Sequence, residues 1–204
     1  MHTKTCLDIH TYWDRIRGAE AGPLRSDIQP GDVRHILPEL FILELDEAGN
    51  PVFRLAGTRI CTFFGRELRS WEFSSLWAPG DAAAAKRIAR TAMQDRKPIL
   101  LSVSGVNRYQ DEVMLEMVLL PIRSADQRFD RLLGALSPVT PLRWSLDYAL
   151  QELKIERCGA IGGGADSPVS RALPASRYGA IERQVHDLIR GIRRLGLRHH
   201  DPSL

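Results

Sequence analysis

Two groups of strand-forming sequence, separated by a helical stretch, constrain the fold of this chain more than any other feature. The first group is a hairpin, in which residues 40–45 and 52–56 flank turn residues at 47–50. The second group is a run of three strand candidates, residues 99–106, 112–122 and 132–139. Because a hairpin and a strand triplet separated by helices do not alternate as β-α-β units, the pattern predicts an α+β fold. We expect a five-stranded antiparallel sheet with helices on one face.

Helical patterns precede the strands and separate their two groups. Residues 8–18 have the spacing of an amphipathic helix, and Pro30 begins a second short helical pattern that ends before Pro38. The helices predicted between the hairpin and the strand triplet are residues 58–64, 71–77 and 81–95. Gly65 is placed to end the first of these, and Asp81 to cap the last.

The composition changes past Pro141 and defines the expected domain organisation. A run of three glycines at 162–164 is typical of a flexible connector, since it lacks the lysine and hydroxyl residue of a phosphate-binding loop. We expect an N-terminal helical cap over 1–38, a folded body over 39–145, a linker over 146–175, and a basic amphipathic helix with a tail over 176–204.

Positive charge is concentrated in the C-terminal segment. The chain carries a formal charge of +3, and residues 171–204 contain seven arginines against three acidic residues. Arg183, Arg190, Arg193 and Arg194 lie mostly off the apolar stripe of the predicted helix. An anionic partner is therefore expected to bind these arginines rather than the body of the chain.

Composition also disfavours several classes of protein. The three cysteines are an odd number without CxxC spacing, which argues against a disulfide framework and a thiolate metal site, and we expect no metal. Apolar runs such as 113–120 are interrupted by charge and fall short of the ~20 residues of a membrane helix. The first ten residues lack the apolar segment of a secretory signal, so a cytoplasmic location is expected.

Five short sequences resemble the PAS-like family of stand-alone alphaproteobacterial proteins. They are YWDRIRG (12–18), LPELFILEL (37–45), FRLAGTR (53–59), FGREL (64–68) and LGALSPVT (133–140). The resemblance spans about residues 9–145, and it implies a PAS fold that senses a small ligand or docks a partner. The sequence departs from the family at Ser70, where a glycine is expected.

The resemblance implies a ligand pocket between the sheet and its helices. The candidate lining residues are Phe41, Leu43, Phe53, Leu55, Arg59, Ile60, Phe64, Ile88, Leu101, Val103, Leu115 and Met117. Most of these would be ordinary core in any fold, whereas Arg59 could clamp a carboxylate or phosphate, or form an internal salt bridge. Haem is disfavoured because residues 81–96 contain no histidine. Covalent flavin chemistry is disfavoured because residues 71–80 contain no cysteine, and no cofactor is predicted.

The leading hypothesis is a non-enzymatic PAS sensor or interaction module in bacterial signalling. An apolar stripe on the first helix, formed by Ile9, Tyr12, Trp13 and Ile16, must be covered by its own sheet or by another chain, and it motivates a homodimer. The alternative is a nucleic-acid or anionic-surface binder that acts through the basic C-terminal helix. An enzyme is not expected, because no acid, base or nucleophile grouping can be assembled. The sequence leaves the ligand and the downstream partner open.

Overall fold

Six strands in the described part of the chain form one antiparallel sheet. The structure is a computed structural model that describes residues 1–140 and 149–161. The strands are β1 (Leu40–Leu45), β2 (Pro51–Ala56), β3 (Ile99–Asn107), β4 (Glu112–Ile122), β5 (Arg131–Pro138) and β6 (Leu150–Ala160). Their order across the sheet is β2-β1-β5-β4-β3-β6. The predicted α+β class, antiparallel sheet and PAS-like strand arrangement are confirmed.

Three α-helices and four short 3-10 helices accompany the sheet in the described residues. The α-helices are α1 (Lys4–Arg17), α2 (Thr58–Phe64) and α3 (Pro79–Asp95). The 3-10 helices are Arg25–Asp27, Pro30–Val33, Leu37–Glu39 and Phe73–Leu76. Gly65 ends α2 in the left-handed conformation at φ 62°, as predicted. Asp81 is not the cap of α3, because Ala78 holds that position and Pro79 starts the helix.

Helices cover both faces of the sheet, whereas the sequence predicted helices on one face. α2, α3 and the 3-10 helix Phe73–Leu76 lie on the inner face, where Phe41 of β1 is buried. α1 packs on the opposite, outer face, against β4 and β5. Ile42, Val118, Leu120 and Leu133 of the strands form one buried cluster with α1 there. The amphipathic stripe of α1 is the physical reason, since it needs an apolar surface to cover it.

The sheet has a sixth strand, which lies within the segment 146–175 that was predicted to be a linker. β6 pairs antiparallel with β3, from Ile99 opposite Ala160 to Asn107 opposite Leu150. Leu150 and Leu153 are buried in the core. The strand is further fixed by Asp81 of α3, whose carboxylate accepts a hydrogen bond from the backbone N–H of Ile155 at 3.0 Å. The folded body therefore extends at least to residue 161.

The turn at Ser70 has the backbone geometry that a glycine would adopt most easily. Its φ is 68°, in the left-handed region that non-glycine residues rarely enter. The backbone N–H of Ser70 donates to the carbonyl of Phe53 in β2 at 2.7 Å, which holds the turn against the sheet edge. The departure from the family pattern at this position is thus tolerated at the expense of local strain.

Candidate functional site

Ten of the twelve candidate pocket residues lie buried in the part of the core between the sheet and the helices α2 and α3. They are Phe41, Leu43, Phe53, Ile60, Phe64, Ile88, Leu101, Val103, Leu115 and Met117. The remaining two, Leu55 and Arg59, lie elsewhere: Leu55 is 49% exposed, and Arg59 forms a salt bridge outside this region. The structure thus brings the ten apolar candidates together and separates the other two from them.

A β-bulge in β2 explains why Leu55 is not an interior residue. Phe53 pairs with Leu43, but Leu55 pairs with Ile42, so Arg54 is an extra residue between the two pairs. Strict alternation would place Phe53 and Leu55 on one face of the sheet. The bulge instead turns Leu55 to the outer face, which it shares with Ile42. The assignment of Leu55 to the pocket is therefore wrong for a geometric reason that hydrophobic pattern alone does not reveal.

Aromatic side chains occupy the centre of the interior. The ring of Phe41 lies on the backbone of Gly134 in β5, where an added β-carbon would be 2.1 Å from its Cζ atom. The ring of Phe53 lies 5.6 Å from that of Phe41, and the ring of Phe73 lies 5.9 Å from that of Phe53. Trp77 continues the series at 5.5 Å from Phe73. These contacts are edge-on, tilted or stacked packing of rings, so side chains fill the space where the sequence predicted a ligand.

One polar group in this interior has no hydrogen-bond partner in the described structure. The Nε1 atom of Trp77 is buried and lacks an acceptor. A buried indole N–H without an acceptor costs about 1–3 kcal/mol, and a water-sized acceptor is enough to remove that cost. The group marks the place where a small polar molecule would be best received.

Arg59 belongs to a buried polar cluster behind α1 rather than to the pocket. Its Nη1 atom donates to Oε1 of Glu39 at 2.5 Å, and Glu39 is 6% exposed. The other carboxylate oxygen of Glu39 accepts a hydrogen bond from the hydroxyl of Thr5 in α1. The internal salt bridge that the sequence left as an alternative is the arrangement found. It ties α1 to the segment that leads into β1.

A second buried carboxylate, Glu116 of β4, caps the amino terminus of α1. The residue is 1% exposed, although a strand carboxylate at this position was expected to face solvent. Its two oxygens accept hydrogen bonds from the backbone N–H groups of His2 and Thr3 at 2.8 to 3.0 Å, and from the Thr3 hydroxyl at 2.8 Å. Free N–H groups at a helix start favour a negative charge. The sequence signal was present, because Glu116 interrupts an otherwise apolar strand.

The apolar stripe of α1 is covered by the chain's own sheet. Ile9, Tyr12 and Trp13 are buried, and Ile16 packs against the same cluster. The Trp13 indole donates to the carbonyl of Pro121 at 2.8 Å, which fixes the helix on the sheet. The stripe therefore no longer supports a homodimer, and the homodimer itself stays a prediction.

The cysteines of the described residues have the properties of core side chains. Burial raises the pKa of the Cys6 and Cys158 thiols to about 12. Burial also raises the pKa of Cys61, which is partly exposed on α2. Within the described ranges, no group of three or more histidine, cysteine or acidic side chains could hold a metal ion. The same part of the chain contains no helix that is long and apolar enough to cross a membrane.

The comparison with known families agrees with this strand order and helix placement. The sequence model described as "PAS domain" matches residues 1–137, which is more than half of the chain. The protein belongs to the PAS domain family. Its PAS body is thus a fold of signalling sensor and interaction modules. No curated protein matches the sequence.

Several solved structures are similar to this PAS protein. One is a light-oxygen-voltage domain studied with a flavin analogue, with 12% identity and a TM-score of 0.42, covering 54% of this chain and 83% of that one. Another is a PAS domain from Colwellia psychrerythraea, with 14% identity and a TM-score of 0.38, covering 48% and 85%. A third is the N-terminal domain of a diguanylate cyclase with a PAS/PAC sensor from Marinobacter aquaeolei, with 13% identity and a TM-score of 0.39, covering 50% and 95%.

The PAS interior described here does not fit a flavin or a haem ring system. The aromatic rings of Phe41, Phe53 and Phe73 occupy the space between the sheet and α3 that such a planar group would need. Cys61 lies on α2 with its thiol directed at the Ala56 carbonyl and the Glu67 carboxylate. His35 lies on the outer side and contacts Asp8. Neither side chain is placed to react with or ligate a group in the interior.

The candidate anionic-partner residues Arg183, Arg190, Arg193 and Arg194 lie outside the described residues. The predicted helix over 176–204 and most of the linker over 162–175 lie outside them as well.

Proposed function

We propose that this PAS protein is a non-enzymatic interaction module of bacterial signalling that docks a protein partner through its surface. The observation that carries this proposal is the packed aromatic interior, in which the Phe41 ring rests on Gly134 and leaves no room for a bulky cofactor. A PAS body with such an interior transmits information by contact between its surface and another protein. The free Nε1 of Trp77 limits any interior ligand to a molecule of about the size of water.

Native mass spectrometry of the full-length protein, purified from its own host, tests this proposal. We expect the mass of the polypeptide without a retained organic molecule. Addition of flavin mononucleotide or haem should produce neither a bound-state absorption spectrum nor a rise in the melting temperature. A stoichiometric organic ligand, or a rise in melting temperature with either cofactor, would contradict the proposal.

A cavity variant provides the matched control. Truncation of Phe41 to alanine removes a buried ring and creates an apolar space that a small aromatic molecule such as indole can enter. Indole should raise the melting temperature of Phe41→Ala and leave that of the wild type unchanged. Because Phe41→Ala is also destabilising, Phe53→Ala serves as a second cavity variant. Equal responses of wild type and both variants would mean that the native interior already contains usable space.

The alternative function, binding of nucleic acid or an anionic surface through the basic C-terminal helix, stays a prediction. It rests on the arginines of residues 171–204. The test is retention of labelled DNA or anionic vesicles at low salt, with a steep loss as salt is raised.

A further inference from the structure

A basic groove lies on the outer face of the sheet, at the edge that α1 leaves uncovered. It encloses about 540 Å³ and is open to solvent. Four arginines, one glutamate and an exposed leucine define it: Arg25, Arg54, Arg69, Arg131, Glu44 and Leu55. Its volume is in the range of pockets that bind small molecules or short peptide segments.

The β-bulge in β2 creates this groove. As the extra residue of the bulge, Arg54 separates the pair formed by Leu43 and Phe53 from the pair formed by Ile42 and Leu55. This shift places Leu55 on the outer face with 49% of its surface exposed. Bulges commonly redirect side chains at binding sites. Here the bulge brings one aliphatic side chain among four guanidinium groups.

Positive charge exceeds negative charge in the groove. Glu44 is the acidic lining residue, and its carboxylate lies 3.8 Å from Nε of Arg54 and 3.7 Å from Nη2 of Arg131. These separations are long for charge-assisted hydrogen bonds, so both guanidinium groups keep donors for another partner. Within the described residues, Arg25 and Arg69 form no salt bridge. The groove therefore offers several guanidinium donors to an anionic ligand.

We propose that this groove docks an acidic peptide segment of a partner protein, with carboxylates on the arginines and an aliphatic side chain on Leu55. This proposal rests on the proposed function and names the surface that it would use. Guanidinium groups bind carboxylates in a bidentate geometry, and Leu55 offers apolar contact beside them. The groove is lined by no aromatic residue on which a nucleic acid base could stack. A peptide therefore fits this surface better than a single-stranded nucleic acid.

The surroundings of the groove also restrict how the peptide binds and where it comes from. The outer edge of β2 is already paired at Phe53, whose N–H donates to Trp71 and whose carbonyl accepts from Ser70. Recognition therefore depends on side chains rather than on addition of a strand at that position. The chain's own residues 162–204 contain seven arginines and four acidic residues. Their positive charge disfavours them as the occupant, whether from the same chain or from a second copy.

Fluorescence anisotropy with the full-length protein tests the groove. The probe is a fluorescein-labelled peptide of about ten residues, in which glutamates surround one central leucine, measured at about 150 mM salt to screen distant charges. The groove variant is Arg54→Gln with Arg69→Gln. The control is Arg87→Gln with Arg90→Gln, two exposed positions on α3 that remove the same charge. Because both variants keep the arginine-rich C-terminal segment, their difference reports on the groove.

We expect the groove variant to weaken peptide binding at least about tenfold, against less than about twofold for the control. Leu55→Ser should weaken binding of the leucine peptide but not of a matched peptide with alanine at its centre. Equal affinities of the two double variants would overturn the proposal, as would tighter binding of an oligothymidylate of similar length. A failure here with a ligand-free native mass overturns only the groove, whereas a retained interior ligand overturns the proposed function itself.

Discussion

The ring of Phe41 in β1 lies directly on Gly134 in β5, its partner across the strand pair. An aromatic ring over a strand glycine covers backbone that would otherwise be left without packing. We predict that Gly134→Ala destabilises the protein by ~1–3 kcal/mol, because the buried ring cannot move aside. Urea unfolding measures the change. The control is Gly159→Ala in β6, where an added β-carbon meets no atom within 4 Å.

A double-mutant cycle tests whether the Phe41 ring itself is the cause. Phe41→Leu shortens the side chain, so Gly134→Ala should be less costly in that background than in the wild type. If the two changes are additive, contact with Phe41 is not what excludes a side chain at residue 134.

The carboxylate of Glu116 is predicted to stabilise the docking of α1. Glu116→Gln keeps the size of the side chain but replaces one acceptor oxygen with a donor that faces the N–H groups of His2 and Thr3. We expect a loss of ~1–3 kcal/mol in chemical unfolding and faster amide exchange over residues 2–6. Glu112→Gln, on the same strand but exposed, should change stability by less than ~0.5 kcal/mol. Similar losses in the two variants would contradict the capping role.

Ser70 is predicted to be a site where glycine stabilises the fold. At φ 68° the serine side chain is strained, and glycine removes that strain while keeping the hydrogen bond from its N–H to Phe53. Since glycine also adds entropy to the unfolded chain, we expect a net gain of ~0.5–1 kcal/mol for Ser70→Gly. Ser70→Val should destabilise the protein. Thermal unfolding of the two variants gives the signs, and a loss in Ser70→Gly would contradict the strain.

The raised thiol pKa values predict a strong pH dependence of cysteine reactivity. Cys6 and Cys158 have pKa values of about 12, so almost none of either thiol is ionised at pH 8 to 9 in the folded state. Iodoacetamide labelling with peptide mapping should modify Cys61 first, because it is the more exposed thiol. Unfolding in urea should bring all three to similar rates. Early labelling of Cys6 in the folded protein would show that α1 opens readily.

The same shifts predict that stability falls at high pH. A thiol whose folded-state pKa lies above its unfolded value of 9.0 contributes stability that is complete below pH 9. That contribution is lost as the pH rises from 9 towards 12, because ionisation then favours the unfolded chain. Cys6→Ala should show a shallower decline than the wild type over this range.

The boundary of the folded body is predicted to lie after β6. Deletion of residues 162–204 should leave a cooperative unfolding transition, since β6 and its hydrogen bond to Asp81 are retained. Deletion of residues 141–204 exposes the edge of β3 and removes Leu150 and Leu153 from the core. At ~1.5–3 kcal/mol for each buried leucine, we expect a loss of at least ~3 kcal/mol. Equal stabilities would mean that β6 contributes nothing to the fold.

Local pattern was sufficient to predict most element boundaries. β1, α2 and β4 begin and end at the residues predicted, because alternating or continuous apolar runs are bounded by turn residues such as Gly65. β6 escaped prediction because its charged residues, among them Glu156 and Arg157, interrupt the apolar pattern. Its place depends on the unpaired edge of β3, which is a tertiary feature.

The sequence by itself determined the α+β class, the order of the elements and the apolar composition of the core, since these follow from local periodicity and turn chemistry. The tertiary structure alone decided which face each side chain occupies. The bulge at Arg54 moved Leu55 to the outer face, the sheet covered the stripe of α1, and Glu116 became a buried helix cap. These outcomes depend on register and on contacts between residues distant in sequence, and a linear pattern does not encode either.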